Sequence, residues 1–154
     1  MGFLTGKTAI ITGAGRAILK DGSCGSIGYG IATAYAKEGA NLVIAGRNVK
    51  KLEAAKQELE SLYGIKVLTV QADVCAGGDN EATVANVVKQ AVDTYGGIQV
   101  LINNAQASAS GVPLAEHTTE QFDLAIYSGL YAAFYYMKAC YPYLAESHGR
   151  VINF

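Results

Sequence analysis

The 154-residue chain reads as an α/β fold: a doubly wound parallel sheet, incomplete at about five strands, with helices on both faces. Three observations predict it. Short, nearly continuous apolar runs alternate with amphipathic stretches of helical period, and strands buried on both faces read this way because they lose the in-out alternation. Eighteen glycines against two prolines supply the many short turns that such an alternation requires. Polar or glycine residues gather where several of the apolar runs end, which is the edge at which a doubly wound sheet holds its ligand.

Each element follows from local pattern. Thr8 to Thr12 form the first strand, stopped at Gly13-Ala14-Gly15, and a helix from about Ser26 to Glu38 ends on Gly39. Asn41 to Ala45 are the second strand. Asn48 caps a helix to about Tyr63, and Gly64 stops it. Lys66 to Gln71 make the third strand, running into Ala72-Asp73-Val74. A helix opening at Asp79 or Asn80 runs to Tyr95, where Gly96-Gly97 break it ahead of the fourth strand, Ile98 to Asn103. Thr118-Thr119-Glu120-Gln121 has the capping-box form and introduces one long helix to about Leu144. Tyr127, Tyr131 and Tyr135 repeat at four-residue spacing along it, an aromatic stripe suited to packing or subunit contact. Arg150 to Phe154 begin a fifth strand.

Composition bounds the function. With 51% hydrophobic and 16% charged residues and a formal charge of −1, the chain is a single domain with enough apolar mass for a core, and nothing points to a nucleic acid partner. No apolar run approaches the roughly 18 residues of a membrane span, and MGFLTGK is too short and polar for a signal peptide, so no membrane partner and a cytoplasmic location are expected. Cys24, Cys75 and Cys140 are odd in number, widely spaced and without nearby histidines, which supports neither a disulfide framework nor a metal site.

The stretch Lys7 to Ala32 organises the rest. Strand, glycine loop and helix follow one another, with Gly13 and Gly15 at the turn and Ser26-Ile27-Gly28 opening the helix. Glycines let the backbone turn tightly and approach a ligand, and the free amides of a helix N-terminus bind an anion such as a pyrophosphate. This is a phosphate cradle of the kind a dinucleotide needs. The competing reading is an ordinary turn, since Arg16 to Gly25 lengthen the loop beyond the usual spacing. On the dinucleotide reading, Gly28→Val blocks the ligand and leaves helix content nearly intact.

Asp73, at the third strand end, is either a helix or turn cap or an acceptor for an adenine amino group. Asn103-Asn104-Ala105-Gln106, at the fourth, are either loop-stabilising amides or ligand contacts. The second strand end separates two cofactors. A carboxylate there would bind the adenosine ribose hydroxyls and repel a 2′-phosphate, but the sequence has Ala45-Gly46-Arg47-Asn48. The guanidinium of Arg47 can grip a 2′-phosphate bidentately, with Arg16 and Lys20 as helpers, which favours NADP over NAD. The alternative is a solvated helix-start arginine. Ser108, Ser110 and His117 make a poor nucleophilic set, because no acid is placed to orient the imidazole.

Thr12-Gly13 with Ser26-Ile27-Gly28, Ala72-Asp73-Val74, Asn103-Asn104-Ala105 and Val151-Ile152-Asn153-Phe154 resemble, in order, the landmarks of the short-chain dehydrogenase/reductase family. More narrowly, Ile102 to Leu114 and Phe122 to Met137 resemble the bacterial NAD(P)-dependent 12α-hydroxysteroid dehydrogenases that act on bile acids. The resemblance implies hydride transfer between NADP(H) and a hydroxysteroid, with Gly13, Ser26, Ile27 and Gly28 around the pyrophosphate. It places Asp73 and Val74 at the adenine and Asn104 and Ala105 along the adenosine ribose, in an enzyme expected to be a homo-oligomer. Three positions depart from the family pattern: Ser26 stands for the usual second glycine, Gln106 for the last glycine of its motif, and Gly129 for a catalytic asparagine. The family's serine and its Tyr-x-x-x-Lys pair fall beyond Phe154. Residues 1–154 are therefore expected to be a cofactor-binding domain with no catalytic residue of its own and no turnover; the alternatives are a nucleotide-binding or oligomerisation module and an inactive truncated product.

Overall fold

A computed structural model describes residues 2–75 and 78–154 of the chain. Its first strand is also its innermost: β1 (Thr8–Thr12) is buried along its whole length. It pairs on one side with β2 (Asn41–Gly46) and on the other with β4 (Val100–Asn103). The outer strands are β3 (Val67–Gln71) and β5 (Arg150–Asn153), every pairing is parallel, and the order is β3-β2-β1-β4-β5. The chain thus winds outward from β1 to β3 and then crosses back to lay down β4 and β5. That reversal opens a crevice at the carboxyl edge beside β1.

Strand side chains alternate between two helical layers. Ala9, Ile11, Leu42 and Ile44 pack on α1 (Ile27–Lys37) and α2 (Val49–Tyr63), while Ile10, Val43 and Leu101 face α3 (Asn80–Tyr95) and α5 (Ala132–Glu146). The predicted caps form where the chemistry requires them. Asn48 Oδ1 accepts from the amide of Lys51 at 3.0 Å, Asp79 Oδ1 from that of Ala82 at 3.0 Å, and Gly39, Gly64 and Gly96 adopt positive φ just beyond their helices.

Strand four is shorter than its apolar run, beginning at Val100 instead of Ile98. Gln99 uses its side chain as a strand would use its backbone, its Oε1 accepting from the amide of Thr8 at 2.7 Å. The predicted long helix is a further correction. It is interrupted: α4 (Thr119–Ala125), opened by the Thr118–Gln121 capping box, passes into a π-helical turn at Ile126–Tyr131 before α5 begins. Ser128 accounts for the break. Its hydroxyl donates to the carbonyl of Leu124 at 2.6 Å, drawing off an acceptor that the helical ladder uses. The tyrosine stripe survives the turn, with ring centroids 5.1 Å apart for Tyr127 and Tyr131 and 6.1 Å for Tyr131 and Tyr135.

Candidate functional site

The crevice is built on a short turn after β1. Gly13 takes φ +71°, a conformation open to glycine at little cost, and its amide donates to the carbonyl of Ala45 at 2.7 Å. Thr12 Oγ1 accepts from the amides of Asn104 and Ala105, each at 2.9 Å, and the Asn104 carboxamide donates to the Thr12 carbonyl at 2.9 Å. Asn104 thereby ties the end of β4 to the end of β1. Gly28 lies against this clasp. A Cβ there would stand 2.4 Å from the Gly13 carbonyl oxygen and 2.5 Å from Asn104 Nδ2, so glycine is required by the chain's own packing before any ligand is considered. The expectation that Gly28→Val spares the fold is corrected on that ground.

Ser26 caps α1 in extended backbone, its side chain accepting from the amide of Tyr29, while the amides of Ile27 and Gly28 lie ahead of the first intrahelical bond. They open toward a cavity of about 440 Å³ that reaches from Gly13 and Ser26 past Arg47 and Asp73 to Gln106 and Ser128. A second cavity of about 330 Å³ adjoins it, with Arg47 common to both and Gly15, Asn48 and Lys51 on its wall. Arg47 is exposed and has no side-chain hydrogen bond or ion pair among the described residues. Asp73 is exposed too and makes no side-chain hydrogen bond among the described residues; Asp79 does the capping of α3. Val74 lines the larger cavity beside it, as do Ile27, Asn104 and Ala105.

Arg16 is placed differently. Its guanidinium pairs with Glu58 of α2, and its amide donates to the Lys51 carbonyl at 2.8 Å, so the loop is fastened to α2 and Arg16 lines neither cavity. The same Glu58 accepts from the hydroxyl of Tyr29, a side chain only 3% exposed. The Tyr29 hydrogen bond and the Arg16 charge hold the Glu58 carboxyl below the usual carboxylate range against an opposing effect of burial. Burial, and then Glu58, push the Tyr29 phenol up to about 12. The long insertion is a small hairpin closed by an Ile18–Cys24 bridge, and Lys20 at its tip is exposed and reaches neither cavity.

Residues 7–154 match the short chain dehydrogenase family. The chain belongs to that family. A 12alpha-hydroxysteroid dehydrogenase of a Clostridium species is 60% identical over 154 residues, covering 100% of this chain and 57% of the relative. The L-sorbose reductase of Gluconobacter frateurii complexed with NADPH and L-sorbose superposes with TM-score 0.82 at 30% identity, covering 98% of this chain and 52% of that one. An NAD+-bound xylitol dehydrogenase superposes with TM-score 0.83 at 26% identity, covering 98% and 53%. The chain therefore spans somewhat over half the length of these relatives.

In this member of the short chain dehydrogenase family the loop after β4 adds residues that no motif marks. Ser128 of the π turn accepts from the amide of Ala107 at 2.9 Å and lines the large cavity. Lys51, in the first turn of α2, lines the second cavity with Arg47, which precedes the helix, and no motif marks it. Ser108 and Ser110 lie near each other at 3.5 Å, whereas His117 Nδ1 contacts the Pro113 carbonyl at 3.3 Å, and no serine–histidine pair exists among the described residues.

Proposed function

We propose that this chain is the dinucleotide-binding domain, residues 1–154, of an NADP-dependent hydroxysteroid dehydrogenase. The observation that carries the cofactor reading is Arg47, a free guanidinium at the carboxyl end of β2 shared by two adjoining cavities, with Lys51 on the wall of one. The residues present fit the group. The Ile27 and Gly28 amides and the positive end of the α1 dipole suit a pyrophosphate, and Gly13 leaves the approach clear of a side chain. Asp73 and Val74 would meet the adenine, Asn104 and Ala105 the adenosine ribose, and Arg47 a 2′-phosphate. When bound, NADP supplies the hydride acceptor; the chain's own residues bind it and hold it along the sheet edge.

The substrate reading rests on the 60% identical relative named for 12α-hydroxysteroids. It implies a steroid, a bile acid 12α-hydroxyl or the corresponding 12-ketone, as the small-molecule partner, in a cytoplasmic homo-oligomer. The Tyr-x-x-x-Lys pair of the family is not contained in these residues, so the chain alone binds cofactor without turnover.

Dissociation constants for NADP and NAD test the cofactor reading. The unsubstituted chain is expected to prefer NADP, and Arg47→Asp to reverse the preference by removing a charge-assisted contact of about 1.5 to 3 kcal/mol and adding a repulsion. An unchanged ratio removes Arg47 from the site and returns NAD to first place. A chain extended by the part of the 60% identical relative that this chain does not cover should reduce NADP with a 12α-hydroxy bile acid, followed at the reduced nicotinamide absorbance.

A further inference from the structure

We infer that Gln71, the last residue of β3, sets the preference for NADP by fixing the backbone from which Arg47 projects, an assignment that rests on the cofactor reading above. Three successive carbonyls at the end of β2 are tied to neighbouring strands. That of Ala45 accepts from the Gly13 amide at 2.7 Å, that of Gly46 from the Ala72 amide at 3.0 Å, and that of Arg47 from Gln71 Nε2 at 3.2 Å. The first two are backbone bonds, which side-chain identity does not control. The third depends on a side chain 24 residues away in sequence, which the parallel register sets beside Gly46.

Arg47 occupies the single position between the end of β2 at Gly46 and Asn48, the N-cap of α2. The bond from Gln71 is therefore the last tie to the sheet before the chain turns into the helix. It holds the Arg47–Asn48 peptide, and with it the direction in which the Arg47 side chain leaves the sheet edge. Among the described residues no hydrogen bond or ion pair orients that side chain itself, which is exposed. Gln71 lines neither of the two cavities that share Arg47, so it acts through Arg47 and not on the ligand. A backbone already fixed toward the 2′-phosphate lowers the ordering cost of a bidentate guanidinium contact. NAD carries no 2′-phosphate and draws no such benefit. Gln71 is thus a positioning residue whose effect is confined to the phosphorylated cofactor.

The test measures dissociation constants for NADP and NAD in a double-substitution cycle. Gln71→Met keeps the length of the side chain and removes its donor. It is expected to weaken NADP about threefold and to leave NAD unchanged, at an unaltered thermal midpoint because Gln71 is exposed. In the Arg47→Ala background the same substitution should change neither cofactor. A role for Gln71 in the scaffold alone would weaken both cofactors alike. An unchanged NADP-to-NAD ratio, equal weakening of both, or a selective loss that persists without Arg47 overturns the assignment. If Arg47→Ala by itself leaves the NADP-to-NAD ratio of the unsubstituted chain unchanged, the cofactor reading falls, and this inference with it.

Discussion

The Asn104 carboxamide donates to the Thr12 carbonyl while Thr12 Oγ1 accepts the Asn104 amide, both at 2.9 Å, so two strand ends separated by 92 residues share a reciprocal pair of bonds. Thr12 is buried and serves a third bond, from Ala105. Thr12→Val keeps the shape and deletes the hydroxyl, leaving two amides without an acceptor. A loss of about 2 kcal/mol of stability is expected, read from the urea midpoint, with Thr12→Ser recovering most of it. Stability of Thr12→Val equal to the unsubstituted chain would show that the clasp contributes nothing.

Two glycines of α1, two residues apart, should behave oppositely. Gly28→Ala forces a Cβ to within 2.4 Å of the Gly13 carbonyl oxygen and is expected to cost about 2 kcal/mol or more. At Gly30 the nearest atom to a Cβ is Cys24 Sγ at 3.5 Å, an ordinary contact. Gly30→Ala should stabilise the helix by up to about 1 kcal/mol. Thermal unfolding of the two variants side by side decides it; a matching sign would refute the packing argument.

The Arg16–Glu58–Tyr29 cluster predicts a pH dependence. Glu58 titrates below its unfolded value in the folded chain, chiefly because Tyr29 donates to it. Its contribution is then fully present above the unfolded carboxylate value of 4.5 and disappears as the pH falls through the lower folded value. The stability difference between the unsubstituted chain and Glu58→Gln should be constant at neutral pH and shrink below that point. A difference that grew on acidification would reverse the assigned direction.

The outer face of the sheet predicts association. Among the described residues β5 pairs with β4 alone, and Val151, Ile152 and Phe154 are 40%, 41% and 67% exposed. An apolar edge strand with free backbone groups recruits another chain. Light scattering is expected to report species larger than a monomer, and Ile152→Lys to lower their proportion. Monodisperse monomer from the unsubstituted chain at the same concentration would dismiss β5 as a docking edge.

By itself the sequence determined the alternation, the strand ends and the caps. These are local consequences of side-chain period, glycine placement and short polar acceptors: Asn48, Asp79, Thr118 and Gly64 act within a few residues of their own positions. It also put Arg47 and Asp73 at the carboxyl edge of the sheet, because that edge is wherever a parallel strand ends. Tertiary structure decided what no local pattern encodes. Arg16 turned to Glu58, 42 residues away, since a charge in a loop pairs with whichever element packs beside it. Gly28 proved to be constrained by Gly13 and Asn104, a steric fact that exists only once α1 lies against two strand ends. The π turn arose at Ser128, which bonds to both Leu124 and Ala107, and the capping box ahead of it gives no sign of the break. Periodicity reports which face of an element is apolar; it does not report which distant groups will meet across the crevice, and the site is made of those meetings.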